Sequence, residues 1–227
     1  MAHGFDAVSL DVGGVLVVPD HGALAAALDR VGARHDRSAF GPGHYHAMAA
    51  VDLATSDPED FTDYALGFVR AVDVPEAQQP AAREALLAIL TTPVWSQPVA
   101  GSRQGIRALA EAGVRLAVTS NSDGTVADHL ARSEWLQVGE GPGVAVEVVT
   151  DSGAVGVGKP DPRLFQATLD VLDLPPDRVL HVGDSVHYDV DGAAAFGFQA
   201  VHMDPFGVCA SRGHRHVRTL AEVLATR

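Results

Sequence analysis

The chain has 227 residues, with 29 Asp and Glu against 16 Lys and Arg, for a formal net charge of −13 at pH 7. That balance excludes a general nucleic-acid binder and obliges any anionic substrate to find local positive charge. Apolar residues make up 47% of the chain with 23 Gly and 13 Pro, as expected of one large globular domain or a domain with an insertion. No apolar run is long enough to span a bilayer, and no basic flank precedes an apolar core near Met1, so neither a membrane span nor a signal peptide is expected. Cys209 stands alone, so no internal disulfide forms and a cytoplasmic location is expected; Cys209 itself is read as inert.

Taken in order, Met1 to Gly4 is a lead-in and Phe5 to about Val12 a buried strand. Gly13-Gly14 turns the chain, Val15 to Val18 is an apolar exit, and Pro19-Asp20 breaks the pattern. From His21 to about Pro98 the pattern is helical. Leu24, Ala27, Leu28 and Val31 fall at helical spacing, and Gly32 is a stop. Gly41-Pro42-Gly43 reads as a break, and His44 to Leu53 as a second helix. Ser56-Asp-Pro-Glu59 reads as a helix start, with Phe61, Tyr64, Ala65, Phe68 and Val69 on the face that follows. Ala81 to Leu90 is a further helix. Since no strand pattern interrupts this segment, residues 18–98 are expected to form an all-helical cap inserted into an α/β core made of residues 1–17 and 99–227.

After Pro98 helices and strands alternate. Ser102 is read as the cap of a helix ending at Gly113. Strands are expected at Val114 to Thr119, Val144 to Val149, Val179 to Val182 and Gln199 to His202. Helices are expected at Asp123 to Trp135, from Asp161-Pro162 with Leu164, Phe165, Thr168, Leu169 and Leu172 inward, and at Tyr188 to Phe196. Thr219-Leu-Ala-Glu222 has capping-box spacing for a short last helix. Asp204 to Val217 reads as irregular.

The chemistry sits at strand ends. Asp11 is the single charge in Ala7-Val-Ser-Leu-Asp-Val-Gly-Gly-Val-Leu-Val17, where a carboxylate is costly without a cation or hydrogen bonds. Ser120 and Asp184 likewise close or follow apolar strands, and Lys159 precedes a helix leading to a strand. In a parallel sheet all carboxyl ends of strands share one edge, so these residues can converge.

Four stretches in this order carry a resemblance. They are Leu10-Asp-Val-Gly-Gly-Val-Leu16, Ser120 in Val118-Thr-Ser-Asn121, Lys159 in Gly158-Lys-Pro-Asp161, and Gly183-Asp-Ser-Val-His-Tyr-Asp189. Together they resemble the haloacid dehalogenase-like (HAD) hydrolase superfamily, in its branch with a helical cap after the first strand. The resemblance implies a Rossmann-like α/β fold, a parallel five-stranded sheet in the order 5-4-1-2-3. It implies Asp11 as a nucleophile toward a phosphoryl group, and Mg²⁺ held by Asp11, the Gly13 carbonyl and Asp184. Ser120 would donate to a phosphoryl oxygen with help from the backbone at Asn121, and Lys159 would offset negative charge. The implied partner is a small phosphorylated substrate, with no nucleic acid and no membrane; the oligomeric state is left open.

Other residues have less defined readings. Asp189 either holds Lys159 or a metal-bound water, or is an acid at a helix N-terminus. Ser185 is a supporting donor or a turn hydroxyl, and the Asn121 side chain either contacts substrate or serves the turn. His44, Tyr45 and His46 either face the substrate or are partly exposed helix positions, the second being favoured, and His187 has no role. One departure matters: phosphatases of this family usually carry a second Asp two residues after the nucleophile, as acid and base. Here that position is Gly13. Three readings follow in order: a Mg²⁺-dependent phosphatase lacking or relocating that acid, a metal-independent 2-haloacid dehalogenase, and a non-catalytic protein that binds a phosphorylated ligand.

Overall fold

The computed structural model describes residues 4–54 and 60–226. The helix start read at Ser56 to Glu59 lies outside the described residues. In chain order the elements are β1 (Ala7–Leu10), β2 (Val17–Pro19), α1 (His21–Arg30), α2 (Phe40–Ala54), α3 (Thr62–Ala71), α4 (Gln79–Leu87) and β3 (Trp95–Pro98). There follow α5 (Ser102–Glu111), β4 (Arg115–Ser120), α6 (Val126–Arg132), β5 (Leu136–Val138), β6 (Val144–Val146), β7 (Val148–Asp151) and α7 (Ser152–Val155). The last are α8 (Pro162–Leu172), β8 (Val179–Gly183), α9 (Gly192–Phe196), β9 (Gln199–Met203) and β10 (His216–Val217).

The central sheet is parallel, with strand order β10-β9-β8-β1-β4-β7. The five strands expected from the sequence therefore lie in the order 5-4-1-2-3, as the resemblance implied. Among the described residues the sheet has six strands rather than five: β10 adds an edge beside β9 from inside the stretch read as irregular. It is two residues long and lies among His and Arg, so it carries no apolar alternation. The strand expected over Val144 to Val149 is two: β7 joins the main sheet, while β6 pairs with β5 in a separate small sheet. β1 is buried along its whole length, as a central parallel strand must be. Its single hydroxyl, Ser9, bonds Thr119 on β4 at 2.8 Å.

Helices α1 to α4 lie between β2 and β3, which pair antiparallel as a short ribbon. The segment read as wholly helical thus begins and ends in strand, and β3 was hidden because Trp95-Ser-Gln-Pro98 carries a single apolar residue other than its proline. These helices surround their own core, with Leu24, Leu28, Phe40, Tyr64, Phe68 and Leu86 all buried. Gly41-Pro42-Gly43 does not break α2 but forms its first turn, where proline costs no hydrogen bond. A Cβ on Gly43 would lie 3.1 Å from Val72, so glycine here permits close contact with α3. Ser102 is not a helix cap: Gly101 takes that place in a left-handed conformation, and the Ser102 hydroxyl donates to the Val99 carbonyl at 2.6 Å. The face expected on α8 is buried as read, and Asp161 caps its start by accepting from the Arg163 N–H. The last turn, Leu220–Thr226, is a 3₁₀ helix, and Glu222 accepts from Arg218 N–H, one residue before the position its spacing indicated.

Candidate active site

Asp11 follows β1, Ser120 ends β4 and Asp184 follows β8. Because these strands are adjacent and parallel, all three residues lie at one edge of the sheet, beside a cavity of about 440 Å³ that also takes in Lys159 and Gly13. Asp11, Ser120, Lys159 and Asp184 are all buried.

Lys159 is held between two carboxylates. Its Nζ lies 2.9 Å from Asp11 Oδ1 and 2.6 Å from Asp189 Oδ1. The Asn121 side chain fixes its backbone, accepting from the Lys159 N–H at 2.7 Å and donating to its carbonyl at 3.1 Å. The Asn121 amide is thus spent on positioning Lys159. Asp189 is fully engaged: besides Lys159 it accepts from His181 Nε2 at 3.0 Å and from the Ser185 N–H at 3.0 Å. Of its two sequence readings, the geometry places it on Lys159. His181, which the sequence reading passed over, in turn bonds Ser9 Oγ at 3.0 Å, tying this chain of contacts into the core. An added Cβ on Gly183 would lie 2.0 Å from the Asp189 carboxyl, so only glycine admits this arrangement.

Asp184 meets the helical segment. His44 Nε2 lies 2.8 Å from Asp184 Oδ2, and His44 Nδ1 lies 2.9 Å from the Tyr64 hydroxyl. Tyr45 donates to the Gly14 carbonyl at 2.8 Å. His44 and Tyr45 are therefore buried at the site and not partly exposed, which corrects the favoured sequence reading; His46 is exposed. The sequence indicated a helix over His44 to Leu53 but not that Asp184 lies against it. Asp52, also on α2, was missed. It accepts from Ser185 Oγ and from the N–H groups of Val186 at 2.8 Å and His187 at 3.1 Å. Ser185 Oγ also accepts from the Tyr188 N–H at 3.0 Å, so it is the turn hydroxyl of its two readings.

The electrostatics follow from burial. Burial raises the Asp184 carboxyl well above the usual range, and the Asp11 and Asp189 charges raise it further. Burial also raises Asp11, against the pull of Lys159. Asp189 goes the other way: its burial is overcome by Lys159 and His181, which hold it below the usual range. Burial pushes His44 down to about 3, so its imidazole is neutral. Asp11, Asp184 and Asp189 bring carboxylate oxygens within 4.8 Å of one another, against one lysine. Such a surplus of hard oxygen donors suits a small divalent cation such as Mg²⁺. Gly14 fits the same purpose, since an added Cβ would lie 2.0 Å from Asp184 Oδ2.

Met48, Phe61, Trp95, Val126, Leu130 and Trp135 form an apolar wall over this charged floor. Trp95 comes from β3 and lies against Gly13, 3.4 Å from where its Cβ would be.

A parallel sheet flanked by helices, with a carboxylate-rich cavity at the carboxyl ends of its strands, places the chain among the Rossmann-like α/β proteins, which bind ligands at that edge. The chain belongs to the haloacid dehalogenase-like hydrolase family, whose model matches residues 5–197. Haloacid dehalogenase-like hydrolase domain-containing protein 3 of Mus musculus is 33% identical over 140 residues, covering 61% of this chain and 53% of that protein. The phosphoserine phosphatase of Thermus thermophilus is 43% identical over 67 residues, 30% of this chain and 27% of that enzyme. The chain thus spans about half, or less, of these relatives' length. A HAD phosphatase structure from Thermococcus onnurineus has the same fold, with a TM-score of 0.60 at 19% identity over 97% of both chains. No helix among the described residues is long and apolar enough to cross a membrane.

Proposed function

We propose that the chain is a Mg²⁺-dependent phosphatase acting on a small phosphomonoester through a phospho-aspartate at Asp11. The observation that carries this reading is the convergence of Asp11, Lys159 and Asp184 beside one cavity. The Asp11 carboxylate attacks phosphorus and the ester oxygen departs; water then hydrolyses the acyl phosphate and restores Asp11. Ser120 and the backbone at Asn121 donate to phosphoryl oxygens, and Lys159 stabilises the charge on them. Asp11, the Gly13 carbonyl and Asp184 would hold Mg²⁺, which supplies charge neutralisation of the phosphoryl group. Helices α1 to α4 act as the cap domain that covers the substrate.

The cavity narrows the substrate class. Among the described lining residues Lys159 is the one Lys or Arg, which serves a single phosphoryl group and leaves none for a second. The wall of Phe61, Trp95, Trp135 and Met48 suits an uncharged, largely apolar leaving portion.

The test is hydrolysis of a panel of phosphomonoesters with and without Mg²⁺. Turnover that needs Mg²⁺ and is abolished in Asp11→Asn supports the reading. A second reading, displacement of halide from a 2-haloacid, draws on Gly13 and on the apolar wall. Dehalogenation that persists in chelator, with no phosphate release, would establish it in place of the first.

A further inference from the structure

We propose that His202, Cys209, His214 and His216 form a closed Zn²⁺ site that braces the far edge of the sheet. Their ligand atoms, three imidazole nitrogens and a thiol sulfur, all lie within 4.8 Å of one another. No part of the proposed hydrolytic site uses these side chains.

Strands β9 and β10 and the loop between them bring these side chains together. β10 pairs with β9 with His216 opposite His202, so the two side chains leave the same face, with ring centroids 5.2 Å apart. His214 precedes β10 by two residues, and its ring lies 4.5 Å from that of His216 and 5.2 Å from that of His202. The loop carrying Cys209 is fixed by the buried Asp204 carboxylate, which accepts from the N–H groups of Val208 at 2.8 Å and Cys209 at 3.0 Å. This is the stretch whose sequence gave no helical or strand period.

Two of the separations match those of a tetrahedral zinc. Zn–N bonds of about 2.0–2.1 Å and a Zn–S bond of about 2.3 Å put nitrogen donors about 3.3 Å apart and nitrogen and sulfur about 3.6 Å apart. His202 Nδ1 and His214 Nε2 are 3.2 Å apart, and Cys209 Sγ is 3.7 Å from His214 Nε2. His202 also has the outer contact typical of a ligating histidine. Its Nε2 lies 2.9 Å from the Asp184 carbonyl, so Nε2–H donates there and Nδ1 turns its lone pair to the cluster. A hydrogen bond between two imidazoles would account for His202 and His214 alone. It leaves His216 Nε2, a buried nitrogen without a hydrogen-bond partner, unexplained. Three imidazoles and a thiolate favour Zn²⁺ over the hard cations that carboxylates favour. Four protein ligands leave no open position, so the site is structural. Through the Asp184 carbonyl it also steadies the loop that carries Asp184.

The experiment uses protein free of any histidine tag, stripped of metal and titrated with Co²⁺ in excess Mg²⁺. One equivalent should give the intense visible absorption of tetrahedral Co²⁺ and a thiolate charge-transfer band, and Zn²⁺ should erase both. Cys209→Ser is nearly isosteric and should fold; it should lose the charge-transfer band. His214→Ala, on the loop, should lose the rise in melting temperature that Zn²⁺ gives the wild-type chain. Asp184→Asn, which keeps the carbonyl, should retain the full cobalt spectrum. Absence of the thiolate band in the wild type, its survival in Cys209→Ser, or its loss in Asp184→Asn would overturn the proposal.

Discussion

On the phosphatase reading, the consequence of Gly13 depends on the leaving group of the substrate. Without an acid at this position, a basic alkoxide departs with no proton, whereas an aryl oxide or an acyl leaving group departs readily. Wild-type protein should therefore prefer aryl, acyl or anomeric sugar phosphates to simple alkyl phosphates. General acid help is worth about 10²–10⁴-fold, and Gly13→Asp should recover part of that on alkyl phosphates and less on aryl ones. The backbone admits the change: Gly13 is not among the glycines with positive φ, and its Cβ would make an ordinary contact with Trp95. Comparing kcat/KM on the two substrate types checks this, and no gain on alkyl phosphates would show that another group already protonates the leaving oxygen. Gly14 behaves oppositely, because its φ is +62° and its Cβ would strike Asp184, so Gly14→Ala should abolish activity. Lys159→Ala leaves Asp11 and Asp189 buried without their cation. Breaking a buried ion pair costs about 3–5 kcal/mol, and denaturant titration should show a loss of that order along with lost turnover.

Among the elements, α2 matters most, since it supplies His44 and Tyr45 to the floor of the site and Asp52 to the segment after β8. Asp52 caps three donors at residues 185–187, immediately beyond Asp184. Asp52→Ala leaves those donors without their acceptor, a loss of about 1–3 kcal/mol. Hydrogen exchange should accelerate at Val186 and His187 while β1 and β4 keep their protection. The β2–β3 ribbon is the other connection between the helices and the sheet, and it presents Trp95 to Gly13. Trp95→Ala should raise KM for aryl phosphates more than it changes kcat, because it removes wall and not floor.

For the whole molecule, charge sets how stability and substrate preference are expected to vary. Asp11 and Asp184 have raised pKa values in the folded state, so folding favours their protonated forms. They destabilise the fold once pH rises above the ordinary carboxylate value of about 3.9, and the penalty grows until the folded groups ionise. Mg²⁺ should therefore raise the melting temperature more at pH 7.5 than at pH 5, and Asp184→Asn should remove most of that increment. Asp189 has the opposite sign, stabilising above about 3.9 and failing only as pH falls further. A chain of net charge −13 with one lysine at its cavity should also turn over bisphosphates poorly beside monophosphates of similar size. The order of the five main strands was implied only by the family resemblance; the positions of Asp11, Ser120, Lys159 and Asp184 and the buried face of α8 were legible in the sequence itself. These last depend on local signals: buried apolar runs, motif spacing and helical period. The partnership of His44 with Asp184, the bond from Asp52 to residues 185–187, the approach of Trp95 to Gly13 and the gathering of His202, Cys209, His214 and His216 were decided only by tertiary structure. Those contacts join residues whose neighbours in sequence carry no regular pattern, and they arise from how the helices and the last strand pack against a sheet edge.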